Sequence, residues 1–405
     1  QKFDLLLDSM QQTIKADIGV NELFNKYAYI VNEIGCSHTY MNIPKAAYDS
    51  LLDRKFFFPI PVKLIENRLI VNATNLTLTE GTEIISINQK PVSEILKNIM
   101  IYETVEGFHR STQKKLAAES FALNYFYTYG KAESFDLLVT DTTGKEESIK
   151  NIPSTTLGKW YDYKESNIYY YDRTECDYDL YINDKRKYAL LRIGTFSFDS
   201  GEKQDAFRNF CKNSFELLSY RKDIGSIVID LRENLGGDLY NSSLLFSFLA
   251  REDFKEYHSA SSKIDRIKNA EYLDKKFLAN GRHSVDERLL KEYYYNNKTN
   301  SYLQSDSLIG NWKPDKFAFK GNIYIITNAK VASAASYFST MVKNSGIGKI
   351  IGEETVGGSF SGNAFTALNY ILPYSDLQLI FPFGHIVYSY RDKKNTGSGV
   401  LPDFD

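Results

Sequence analysis

Strand–helix alternation over residues 188–405 constrains this chain most. Residues 225–231, 323–326 and 348–352 are short, nearly uninterrupted apolar runs, of the kind that fills strands buried on both faces. Helical spacing appears between them: residues 206–220 read as an amphipathic helix, residues 241–249 as a second, and Ala335, Phe338, Met341 and Val342 mark a third. A further strand is expected at 188–198. Such alternation predicts an α/β core.

The turns after two of these strands carry chemistry. The first runs Asp230-Leu-Arg-Glu-Asn-Leu-Gly236-Gly237-Asp238, with paired glycines at the carboxyl end of the strand, where α/β sheets bind ligands. Neither GxxxxGK[ST] nor GxGxxG is present to favour a phosphate cradle. The other reading is a pair of N–H donors for an oxyanion. The second turn places Ser333 at the first turn of a helix, where unpaired N–H groups and the helix dipole favour negative charge. Ser333 is there either an N-cap or a nucleophile. Ser336 reads as a hydroxyl on the helix surface.

Residues 1–58 form an N-terminal helical segment, with a glycine cap expected at Gly35. Cys36-Ser37-His38-Thr39-Tyr40 follows, and His38 is the best placed of the five histidines because Ser37 and Thr39 flank it. His109, His258 and His283 have charged neighbours and read as surface residues, and His385 reads as a strand residue. Residues 59–155 read as a small β-rich domain with a helical insertion at 108–129 and a closing hairpin. Its stretch Gly81-Thr-Glu-Ile-Ile-Ser-Ile-Asn-Gln-Lys-Pro-Val92 resembles the core of PDZ domains, which add a peptide strand to a sheet edge. Residues 156–187 are Tyr- and Asp-rich and read as a linker. Residues 188–405 form the core, interrupted by a charged, partly helical inserted arm at 251–320.

Composition closes several routes. The 405 residues carry a formal net charge of −2, which gives no reason to expect a nucleic-acid partner. No apolar run approaches the ~20 residues of a membrane span. Cys36, Cys176 and Cys211 lack CxxC spacing, so neither a zinc site nor a disulfide framework is expected, and no cofactor or metal is. The abundance of Tyr and Phe suits extended ligands, a glycan among them, or simply β-rich packing.

Three separated pieces resemble the C-terminal-processing (tail-specific) serine peptidases: the Asp230–Gly237 turn, the Thr327-Asn328 to Ser336 segment with Ile351-Gly-Glu-Glu-Thr-Val-Gly357, and the ending Gly399-Val-Leu-Pro-Asp403. The resemblance covers most of residues 35–405 and implies a ClpP/crotonase-like spiral core beside a PDZ-like domain. One branch of that family uses a Ser–Lys dyad, but Gly358 stands where its Lys would be. The branch similar to the tricorn core protease uses Ser, His and an acid, and the Cys36–Tyr40 motif fits its His motif. The resemblance therefore implies Ser333 as nucleophile, His38 as base and Ser37 as an accessory hydroxyl. It implies Asp392, fifty-nine residues after Ser333, as the acid, with Glu353 and Glu354 as alternatives. Gly236 or Gly237, with Ala334, would supply the oxyanion donors. A polypeptide substrate cut near its C-terminus, export to a periplasm or cell envelope, and an oligomer compatible with the fold are further expectations. The competing reading is a catalytically silent binder of peptides or lipophiles on the same fold.

Overall fold

A computed structural model describes residues 2–73, 78–166, 177–198, 200–275, 282–394 and 397–404. Cys176 lies outside the described residues, as does the side chain of His283.

The expected core strands form one five-stranded sheet, ordered Tyr178–Asn183, Tyr188–Ile193, Ser226–Asp230, Asn322–Thr327, Gly348–Gly352. The last four run parallel and the first is an antiparallel edge. Ile227, Ile229, Ile323, Ile325 and Ile350 are buried along these strands, as runs without polar alternation require. Helix Gly201–Tyr220 bridges the second and third strands, capped by the Ser200 hydroxyl, which accepts from the Lys203 N–H. Helix Ser333–Asn344 makes the crossover from Asn322–Thr327 to Gly348–Gly352, packing Tyr337, Phe338, Met341 and Val342 into the same core. Ser336 is fully buried and donates to the Val331 carbonyl at 2.9 Å, so it does not lie on the helix surface as its position suggested.

A second sheet joins remote parts of the chain. Its long strand Gln378–Val387 pairs with Ser361–Ile371, with Ser259–Ser262 and with Tyr40–Asn42. The register Tyr40↔Ile380 and Met41↔Leu379 fastens the residues just after His38 onto the core. The segment expected as an inserted arm builds the far side: Ser301–Gln304 pairs with Ser259–Ser262 and with Tyr293–Asn296. Its helix runs Arg282–Glu292 and gives way to strand at Tyr293. The small residues of Ser259–Ser262 carry no apolar alternation, which is why that strand was not legible.

The small domain is an antiparallel sheet, Val62–Ile65, Arg68–Val71, Glu83–Ile87, Ser134–Thr140 and Glu146–Pro153, with a separate core. Helices Arg110–Glu119 and Phe121–Tyr129 occupy the expected insertion. The stretch read as a linker is structured where it is described. Helix Leu157–Ser166 buries Leu157 and Trp160 in the small domain, and Tyr178–Asn183 is the edge strand of the parallel sheet. That strand has no fully buried position and exposes Tyr181, so its sequence shows neither alternation nor a continuous apolar run.

Candidate active site

Ser333 is the first residue of its helix, with Ala332 as the N-cap and no side-chain cap bond. Its φ is +49°, left-handed backbone that a non-glycine residue rarely adopts. Strain of this kind costs on the order of 1–3 kcal/mol and persists only where the surroundings impose it. Here the neighbours do so. Ala332 N–H donates to the Asn234 carbonyl at 3.1 Å, and Val356 and Gly357 N–H groups donate to the Val331 carbonyl at 2.9 and 3.5 Å. The glycine-rich turn after Ser226–Asp230 is pressed against the same residue. A Cβ on Gly236 would lie 2.6 Å from Ser333 Cβ and 2.8 Å from the Ala334 nitrogen, at φ +97°. Only glycine fits there.

Asn234 builds this turn. Fully buried, it donates from Nδ2 to the Ile193 carbonyl at 2.9 Å and accepts the Gly236 N–H on Oδ1 at 2.8 Å. Gly236 N–H is thereby engaged within the turn, while Gly237 lines a cavity with Ser333.

His38 and Ser333 line one cavity of about 340 Å³, together with Gly237, Asp238, Glu256 and Tyr388. The two residues therefore line one cavity although 295 positions separate them in sequence. His38 Nδ1 lies 3.2 Å from Ser37 Oγ. Ser37 donates its hydroxyl to Glu106 Oε2 at 3.1 Å and its backbone N–H to the same oxygen at 3.3 Å. When Glu106 is ionised it only accepts, so the Ser37 proton then points to Glu106 and the Ser37 oxygen accepts Nδ1–H from His38. Nε2 then carries the lone pair. Burial holds His38 below the ordinary histidine range, in the unprotonated form that can receive a proton at neutral pH. Burial also pushes Glu106 up to about 7, against the two Ser37 hydrogen bonds and His109, which favour its charged form.

Glu106 was not among the residues picked from the sequence. Asp392, which was, donates its N–H to the Ser359 carbonyl at 3.0 Å and accepts the Lys394 N–H on Oδ1 at 2.9 Å. The two alternatives are committed elsewhere. Glu354 Oε1 lies 3.0 Å from His109 Nδ1 and accepts the Gly399 N–H, while Glu353 meets Lys115 Nζ at 2.9 Å. His109 is therefore buried against a carboxylate, 6% exposed, and is not the surface residue its charged neighbours suggested. Gly358 explains why a lysine is not accommodated at its position. A Cβ there would come within 2.4 Å of the Ser361 carbonyl oxygen and 3.0 Å of Glu106 Cγ.

A hydroxyl on strained backbone, sharing a cavity with a neutral imidazole and a glycine-rich turn, suits acyl transfer. The sequence family carries the same message, because the profile of Peptidase family S41 matches residues 187–405. The chain belongs to that family, and it is a serine peptidase, a hydrolase acting on peptide bonds. Among solved structures it is similar to a CPAF mutant, with a TM-score of 0.64 and 13% identity over 99% of this chain and 86% of that one. Mature CPAF complexed with lactacystin gives a TM-score of 0.61 and 15% identity over 99% and 87%. The photosystem II D1 C-terminal processing protease aligns at a TM-score of 0.42 and 10% identity, over 100% and 86%. A search of curated proteins returns no match.

Proposed function

We propose that Ser333 is the nucleophile and His38 the general base of a polypeptide-cleaving site in which Glu106, acting through Ser37, is the acid. The observation that carries this is the shared cavity of a positive-φ Ser333 and a His38 whose Nδ1 is tied through Ser37 to a buried carboxylate. Ser333 attacks the scissile carbonyl while His38 Nε2 takes its proton, then returns it to the departing amine. Ser37 and Glu106 fix the tautomer and stabilise the imidazolium as it forms. The N–H groups of Gly237 and Ala334 receive the oxyanion, at the first turn of the helix, where the dipole assists.

On this reading the five-stranded sheet with its crossover helices is a ClpP/crotonase-type core, and the 59–155 unit is a PDZ-like domain that presents a chain end. The substrate is a polypeptide, exported along with the enzyme.

A serine-directed phosphonate, or lactacystin, which is bound to CPAF in one of the similar structures, serves as the probe. Mass spectrometry of the labelled protein should find the adduct on Ser333, and His38→Ala should prevent it. A label on another residue, or one indifferent to His38, would remove Ser333 from the role. The silent-binder alternative requires that no adduct form at all.

A further inference from the structure

One residue beside the base has no part in this chemistry. Cys36 is 1% exposed, and its sulfur accepts a hydrogen bond from Asn363 Nδ2 at 2.9 Å. The Thr39 side chain and the His38 backbone also bond this sulfur and favour its charged form, while burial first and Glu106 second oppose it. One ligand atom each from Cys36, His38 and Glu106 lies within 4.8 Å of the other two. Sulfur, imidazole nitrogen and carboxylate oxygen are the donors that zinc takes.

We infer that Cys36, His38 and Glu106 form an inhibitory site for a divalent transition cation, zinc above all. Bonds of about 2.0–2.3 Å in a tetrahedron set ligand atoms roughly 3.3–3.8 Å apart. The three side chains need to close by about 1 Å, with water as the fourth ligand and Ser37 Oγ turned aside. A cation lets Cys36, a thiol without the metal, bind as thiolate beside the Glu106 carboxylate. Binding releases the Cys36 thiol proton to solvent.

The consequence for catalysis follows from imidazole chemistry. A neutral imidazole has one lone pair, and the metal takes it. Whichever nitrogen binds, the other keeps its N–H and cannot accept the Ser333 proton. Zinc at this site therefore switches the base off without touching the nucleophile. Only that consequence rests on the proposed role of His38; binding itself does not.

Ser333→Ala protein, titrated calorimetrically with zinc chloride at pH 7.5, is expected to bind one equivalent. Cobalt(II) in its place should show a thiolate-to-cobalt charge-transfer band. Cys36→Ser in that background should abolish the band and weaken zinc binding at least about tenfold, the lower bound seen when metal-site support is lost. Glu106→Gln gives a second variant that leaves the sulfur in place and should weaken zinc comparably. In otherwise wild-type protein, zinc should stop hydrolysis and EDTA restore it, while Cys36→Ser hydrolyses normally and resists zinc. Absence of one-equivalent binding, absence of the band, or zinc binding unchanged in Cys36→Ser would overturn the site. Zinc binding and the band are read without turnover, so they stand or fall separately from the assignment of Ser333.

Discussion

Two cavities lie against the core, one at the five-stranded sheet and one at the second sheet, and they differ in size and lining. The larger, about 480 Å³, lies at the carboxyl ends of the parallel strands, touching Gly194, Asp230, Thr327 and Gly352, with Lys63 and Lys115 of the small domain opposite. That is where ligands of open α/β sheets ordinarily bind. Yet its charges are spent on one another: Lys115 on Glu353 at 2.9 Å, Lys164 on Glu119 at 2.9 Å, Lys330 on Glu233 at 2.7 Å, Arg232 on Asp230 at 2.8 Å. The smaller cavity, about 340 Å³, holds the strained serine, the neutral histidine and the close-packed glycines. Size and place in the fold point to the first; chemistry points to the second. The larger cavity is an electrostatic seam between small domain and core, and the smaller one is the site proposed for bond exchange.

The sharpest break between them is a pair of substitutions. Ser333→Ala in the small cavity should lower kcat on the order of 10⁴-fold or more, as loss of a nucleophile does. Its melting temperature should not fall, since no packing is removed. Lys330→Met in the large cavity should leave kcat within about twofold, since the proposed catalytic groups line the other cavity. Steady-state kinetics on both, with calorimetric melting, decides. A Lys330→Met enzyme as dead as Ser333→Ala would erase the distinction.

Next in size is the choice of acid. Glu106→Gln should cut kcat on the order of 10³-fold with KM little changed, because the imidazolium loses its counter-charge and the tautomer its anchor. Asp392→Asn should cost less than about tenfold. The opposite ranking would return the role to Asp392, the residue chosen by its offset from Ser333. Gly236→Ala comes third, at roughly 10²-fold in kcat. Its new Cβ pushes on Ser333 Cβ and the Ala334 nitrogen, at 2.6 and 2.8 Å, and so shifts nucleophile and oxyanion donor together.

These ranks also show what the sequence made legible. The parallel strands announced themselves because each is buried on both faces and writes that fact locally, in runs such as Ser226–Asp230 and Asn322–Thr327. Ser333 and His38, which share a cavity, were singled out because both sit in short motifs at the ends of regular elements. Glu106 was not, because nothing in residues 103–109 marks it. Its place is created by contacts remote in sequence: Gly107 N–H donating to the Gly35 carbonyl at 2.9 Å, Glu106 N–H to the Val356 carbonyl at 3.2 Å, and Gly358 packed on its side chain. The one available signal was a pair of glycines, Gly35 and Gly107, each with positive φ and pressed against another backbone. His109 was misjudged for a related reason, since charged neighbours in sequence say little about burial once Glu354 arrives from 245 residues away.

The smallest effect concerns how the seam contributes to stability. Burial pushes the Glu119 carboxyl up, but Lys164 and Lys330 outweigh it and hold the group below its ordinary 4.5. A depressed folded-state pKa contributes stability that is present above the unfolded value and disappears as pH falls through the folded one. Lys330 behaves inversely. Burial lowers it, Glu119 and Glu233 more than compensate, and its raised value keeps its contribution intact up to the ordinary lysine range. The pair therefore stabilises across the interval between carboxylate and lysine titration. Lys330→Met removes one partner from a mostly buried group that retains Lys164, so the loss should be about 2 kcal/mol near pH 7, below the range for a fully orphaned buried charge. Denaturant midpoints followed from pH 7 downward should show the deficit shrinking as pH falls through the depressed Glu119 value, where the protonated carboxyl no longer needs its cation. A deficit that stayed constant with pH would mean that Lys330 acts through its aliphatic stem packed in the seam and not through its charge.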